Sequence, residues 1–130
     1  MNLSLILLPD IFAVCRFDRN ATVPVTVMRG DLYCIMRTHD ELSIVCAEKD
    51  APEIGMVEKG WRMLKLIGPF PFEMTGILAS VLTPLAEREV SIFALSTYDT
   101  DYVLIKQAQL DLALATLSEA GHTVTDKFPA

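Results

Sequence analysis

Two carboxylates and one helix start hold most of the chemistry this sequence offers. Asp99 and Asp101 lie in a short polar stretch, Thr97-Tyr98-Asp99-Thr100-Asp101, between two apolar runs. Such acids attract an ammonium or another cation. Earlier in the chain, Gly68-Pro69-Phe70-Pro71-Phe72-Glu73-Met74-Thr75-Gly76-Ile77 reads as a glycine-bearing turn at the mouth of a helix. The amides of Gly76, Ile77 and Leu78 have no helical acceptor there and attract anions. Gly68 and Gly76 let a ligand approach the main chain closely. Donors for a carboxylate beside acceptors for an ammonium suit a free amino acid, walled by Phe70, Pro71 and Phe72. Each feature also has a plain structural reading. Aspartates in turns bond their own backbone, Gly68-Pro69 stops a strand, and Gly76 serves packing equally well. Phe72, Met74 and Trp61 are core-type residues.

Nucleophilic and metal chemistry find little footing. Cys15, Cys34 and Cys46 are an odd number without paired spacing, against a disulfide framework or a zinc site; each reads as a buried small hydrophobe. Cys34, His39 and Asp40 crowd one hairpin, whereas a working trio must converge in space. His39 and His122 read as solvent-facing or loosely packed. The expectation is no cofactor, no metal and no enzyme.

The elements that position these groups follow from periodicity. Residues 61–67 alternate as a strand. Met74, Ile77, Leu78, Val81, Leu82 and Leu85 form one helical stripe, with Thr75 as N-cap and Gly76 just inside. Pro84 predicts a kink or an early weakening of the helix. Residues 91–96 and 102–105 are strands joined through 97–101. Leu110, Ala113, Leu114 and Leu117 make a second amphipathic helix, closed by Gly121. Residues 122–125 form a last strand, and Lys127 and Phe128 belong to the tail. From Trp61 to Thr125 the order is βαββαβ. Upstream, residues 3–8 read as a buried strand ending at Pro9, and 11–17 as a second extended or irregular segment. Residues 21–30 read as a helical turn or a loop. Residues 32–37 and 42–47 read as strands covered on both faces and joined by a four-residue hairpin turn. A charged, Pro- and Gly-bearing stretch at 48–60 marks a boundary.

The 130 residues fit one domain, or two very small ones. A hydrophobic fraction of 52% and a mean hydropathy of +0.37 exclude disorder. They are high for a small monomer, so a homodimer that buries apolar surface is expected. The net charge of −6 and the lack of any basic run exclude nucleic acid as a partner. Residues 1–8 are apolar but short, without a basic flank, unlike a signal peptide or a membrane span. The chain is placed in the cytoplasm.

Three stretches carry a family resemblance: Asp40-Glu41-Leu42-Ser43-Ile44-Val45; Gly68-Pro69-Phe70 with Thr75-Gly76-Ile77-Leu78; and Val90-Ser91-Ile92-Phe93-Ala94-Leu95-Ser96-Thr97-Tyr98-Asp99-Thr100-Asp101-Tyr102-Val103-Leu104. The chain resembles the ACT-domain family, small regulatory domains that bind amino acids. Within it, the chain looks like the tandem branch of bacterial members and eukaryotic cytosolic arginine sensors. The resemblance implies an α+β fold of two ferredoxin-like modules side by side: a degenerate one over 1–59, its helices missing or short, and a complete one over 60–130. It implies an amino-acid site between the modules. Ser43, Ile44 and Val45 would offer backbone groups from the first module. Gly68, Phe70, Phe72, Thr75, Gly76, Ile77, Asp99 and Asp101 would come from the second, with an acid at Asp101 meeting a basic ligand such as arginine. The implied function is a non-catalytic amino-acid sensor that shifts a dimer or partner equilibrium. The alternative is a ligand-free interaction and dimerisation module.

Overall fold

The computed structural model describes residues 1–126 in a mixed α/β fold; Lys127 and Phe128, assigned above to the tail, lie outside them. The elements are β1 (Ser4–Phe17), a 3-10 turn (Val25–Met28), β2 (Cys34–Arg37), β3 (Leu42–Ala47), a 3-10 turn (Glu48–Asp50) and β4 (Met56–Leu66). Then come α1 (Ile77–Glu87), β5 (Ile92–Ser96), β6 (Asp101–Lys106), a 3-10 turn (Gln107–Gln109), α2 (Leu110–Glu119) and β7 (Thr123–Thr125). The chain forms two compact units, one of Met1–Pro9 with Arg62–Ala130 and one of Asp10–Trp61. The first nine residues, read above with the amino-terminal half, thus pack with the carboxyl-terminal unit.

The first unit buries Leu5, Leu64, Leu66, Val81, Leu85, Val103, Ile105, Ala113 and Leu117 in one core. Its β7 pairs in parallel with the start of β1, Ser4 opposite Thr123 and Ile6 opposite Thr125. β1 and β6 are the neighbours of β4, and β5 pairs antiparallel with β6. The sheet of this unit therefore takes in a strand from the chain's beginning and is not completed by residues 60–130 alone. Leu5, at 0% exposure, is what that strand contributes to the core.

Helix α1 buries Ile77, Val81 and Leu85, as its stripe predicts. Its N-cap is Gly76, at φ 77°, and not Thr75; the cap makes no side-chain hydrogen bond. The helix passes through Pro84 and continues to Glu87. A proline there has no N–H for the carbonyl four residues back. That carbonyl, on Ser80, lies 2.9 Å from Nε2 of His122. The other ring nitrogen, Nδ1, accepts the Leu3 N–H at 3.0 Å. An accepting Nδ1 puts the proton on Nε2, which donates to Ser80. His122 is thus a buried tie, 4% exposed, and not a loosely packed surface residue. Helix α2 closes as expected. Gly121 has φ 96°, and the N–H groups of Gly121 and His122 reach the carbonyls of Ser118 and Leu117, each at 3.0 Å.

The second unit packs Ala13, Cys15, Phe17, Val27, Leu42, Ile44 and Cys46. β1 does not end at Pro9. It pairs with β7 over Ser4 to Ile6 and with β3 over Phe12 to Phe17, and Pro9 falls between the two ladders, where a missing N–H costs no bond. β3 is almost wholly buried, but β2 stands at the end of the strand order with Met36 63% exposed, so only one of these strands is covered on both faces. Residues 21–30 resolve into a 3-10 turn that buries Val27. The 48–60 stretch holds a 3-10 turn and the start of β4, and the two units divide just after it, between Trp61 and Arg62. Cys15 and Cys46 are diagonal neighbours across β1 and β3, both fully enclosed. The Cys46 thiol donates to Cys15, which, with burial and the nearby Asp50 charge, pushes Cys46 well above the usual thiol range. The same bond lowers Cys15 against its burial.

The hairpins of the two units are built alike. Their turns are Thr38-His39-Asp40-Glu41 and Thr97-Tyr98-Asp99-Thr100. In each, the threonine N–H donates to the carbonyl of the last residue at 2.8 Å. In each, the threonine hydroxyl also accepts the N–H of that last residue, at 3.1 Å from Glu41 and 3.3 Å from Thr100. Each second strand has 6 residues and runs into a 3-residue 3-10 turn. There the two diverge. Leu110 keeps helical angles and leads into α2. Ala51 is extended, at φ −70° and ψ 138°, because it precedes Pro52, and no helix follows it.

Candidate functional site

Two loops of the first unit face each other, the turn after β4 and the turn between β5 and β6. The Phe70 N–H donates to the Asp99 carbonyl at 3.0 Å. The buried Thr100 hydroxyl donates to the Leu66 carbonyl at 2.7 Å. The rings of Phe72 and Tyr98 meet edge to face, centroids 4.9 Å apart, although they are 72% and 80% exposed. A cavity of about 340 Å³ opens here, lined by Phe70, Pro71, Phe72, Met74, Gly76, Ile77, Leu78, Ala79 and the hairpin residues Thr97, Tyr98, Asp99, Thr100 and Asp101. That volume lies within the usual range for small-molecule sites.

The cavity is polarised. Ser80 is the first residue of α1 whose N–H finds a helical acceptor, the Gly76 carbonyl at 3.0 Å. The amides of Ile77, Leu78 and Ala79 therefore have no partner within the helix, at the end that carries its partial positive charge. A Cβ on Gly76 would meet nothing within 4 Å; the glycine answers a backbone angle of φ 77° and leaves open space above it. The carboxylates come from the hairpin. Asp99 is exposed in the turn, and half-buried Asp101 opens β6 opposite Ser96, whose hydroxyl donates to it.

Of the residues singled out in the sequence, this cavity gathers Phe70, Pro71, Phe72, Gly76, Ile77, Leu78, Asp99 and Asp101. Thr75 precedes the cap and is not on the lining. Gly68 lines a second cavity of about 280 Å³ that shares Thr97, Asp99 and Thr100. A Cβ on Gly68 would stand 3.0 Å from the Asp99 carbonyl oxygen, so this glycine makes room for the protein's own hairpin. Ser43, Ile44 and Val45 belong to β3 in the other unit. There they face Arg16, Cys15 and Val14 of β1 on one edge and Met36, Ile35 and Cys34 of β2 on the other, so their main-chain groups serve the sheet. Tyr98, Ala79 and Thr100 escaped the sequence reading as site residues, and Met74, read as core-type, lines the cavity instead. A tyrosine at the tip of a turn was one available signal, since it has no core to fill. Thr100 gave none, because its acceptor is 34 residues away. No group of three or more His, Cys, Asp and Glu side chains able to hold a metal occurs among the described residues.

Comparisons with known proteins bear on the fold and the family. A family model for the ACT domain matches residues 56–119, and a second, for an N-terminal domain, matches residues 10–53. The crystal structure of protein Atu0741 from Agrobacterium tumefaciens superposes with a TM-score of 0.91 at 33% identity, covering 100% of this chain and 98% of that one. This chain belongs to the ACT-domain family. Among curated relatives, the Cytosolic arginine sensor for mTORC1 subunit 1 of Bos taurus is 28% identical over 101 residues, 69% of this chain and 31% of that protein. The chain spans less than two thirds of the length of the first curated relatives it matches. The regulatory subunit of aspartate kinase from Thermus thermophilus, in its ligand-free form, shares the ACT fold with a TM-score of 0.65 at 12% identity, covering 89% of this chain and 95% of that one. No described helix is long and apolar enough to cross a membrane.

Proposed function

We propose that this ACT-domain protein is a non-catalytic regulatory domain that binds a free amino acid in the cavity beside Gly76. One observation carries the reading: unpartnered amides of α1 and the carboxylates of Asp99 and Asp101 open onto the same space of about 340 Å³. The α-carboxylate of the ligand sits on the amides of Ile77, Leu78 and Ala79. Its ammonium, or a basic side chain, meets Asp99 and Asp101, while Phe70, Phe72 and Tyr98 wall the aliphatic part. A relative named as an arginine sensor supports a basic ligand. The like-built hairpins support descent of the two halves from one ferredoxin-like module, the first half having lost its helices. Binding acts by differential affinity for two states of a homodimer or of a partner complex.

The exposed rings of Phe72 and Tyr98 favour one rival, a ligand-free interaction surface. Melting temperature against the twenty amino acids separates the two readings. A ligand at 100 times its Kd adds about 2.7 kcal/mol of stability. Asp101→Asn and Ala79→Pro should each abolish the shift while the protein stays folded. The second variant removes one first-turn amide at a position that tolerates proline. A flat panel, or a full shift retained in Asp101→Asn, overturns the site.

A further inference from the structure

The second unit carries a different kind of cleft. Residues 18–21 form a turn closed by the Ala21 N–H on the Asp18 carbonyl at 2.9 Å. It faces the 38–41 turn, and Arg19, Asn20, Arg37, Thr38 and His39 line a space of about 380 Å³. Two guanidiniums staple this space from opposite sides. Arg37 donates to the carbonyls of Arg19 and Ala21. Arg19 donates to the His39 carbonyl at 3.3 Å. Neutral carbonyls thus hold both groups in place without cancelling their charge. Among the described residues, neither Arg19 nor Arg37 is in an ion pair with a carboxylate. In a chain of net charge −6, two guanidiniums held on one cleft without a paired carboxylate stand out.

We propose that this cleft binds a small phosphoryl dianion, inorganic phosphate or a phosphate monoester, on Arg19 and Arg37. Each guanidinium keeps N–H protons beyond those spent on the carbonyls, and a planar fork matches phosphate oxygens. Two positive charges favour a dianion over a monocarboxylate. The Asn20 amide and the His39 ring add further donors at the rim. The Thr38 hydroxyl already receives the Asp40 and Glu41 amides and is spent on the turn. The site lies in the other unit from the cavity of the proposed function and does not depend on it.

The test is titration of the full chain with inorganic phosphate and, separately, with a phosphate monoester such as phosphoserine, followed by amide NMR shifts at constant ionic strength. Saturable shifts centred on residues 19–21 and 37–39 are expected, with Arg19→Gln weakening binding at least about tenfold. Arg19 is exposed in a turn, so that variant stays folded even where Arg37→Gln does not. The monoester arm reports which source of the phosphoryl group binds more tightly. Equal shifts with chloride at matched ionic strength, or unchanged binding in Arg19→Gln, overturn the proposal.

Discussion

In the hairpin of β2 and β3, the carbonyls of His39 and Asp40 accept guanidinium protons from Arg19 and Arg16. In the hairpin of β5 and β6, the Asp99 carbonyl accepts the main-chain amide of Phe70. The turns themselves are nearly superposable in their bonding, threonine first and aspartate third. What differs is the chain that leans on them. One turn faces a loop that ends in a helix, which brings neutral amides to meet carboxylates. The other faces a short turn whose Arg19, together with Arg37 of β2, brings charge. Turn chemistry is local and recurs wherever its few residues recur; the character of the cleft beside it is set by what the rest of the unit can supply.

The two prolines make the same point from another side. Pro84 sits inside α1, yet the helix continues, because His122 takes up the stranded Ser80 carbonyl. Pro52 follows a 3-10 turn, turns Ala51 extended, and ends any helix there. His122→Ala should therefore give the largest effect, about 2–4 kcal/mol in urea denaturation, since it leaves the partly buried Leu3 amide and Ser80 carbonyl without partners. A loss below about 1 kcal/mol would mean that water takes over both bonds.

Matched positions in the two turns sharpen the contrast. Thr100→Val removes the buried bond to Leu66 and should cost about 1–2 kcal/mol. Its counterpart Glu41→Val, with no such bond, should stay within about 0.5 kcal/mol in the same melts. Thr38→Val and Thr97→Val should cost about the same, roughly 0.5–1.5 kcal/mol each. A wide gap between them would break the equivalence of the turns. The last effect is on reactivity. Maleimide should label half-buried Cys34 in the folded protein. Cys15 and Cys46 should wait for unfolding, because they are enclosed and the raised Cys46 holds less thiolate at pH 8 than a free thiol.

Sequence periodicity located both helices and every strand of the second half because those elements bury one face, and burial writes itself into spacing. It located the acid-bearing hairpin for the same reason. It failed where the deciding partner is remote. His122 looked idle because its partners stand 42 and 119 residues away. Pro9 looked like a strand end because a single chain does not show which neighbours would have needed its amide. Thr75 looked like a cap by type, but the left-handed angle at Gly76 moved the boundary by one residue. Gly68 and Gly76 looked equivalent, and only coordinates separate a glycine crowded by its own hairpin from one beneath open space.

Pro9 has one consequence beyond the fold. Any extended segment with spare amides is a template on which a foreign strand can grow. β1 is the longest strand of the chain, and it carries its proline, exposed to water, in the interval between its partners β7 and β3. An intruding chain finds a missing rung there. Pro9→Val would restore that amide and offer such a chain one more donor at this point of β1.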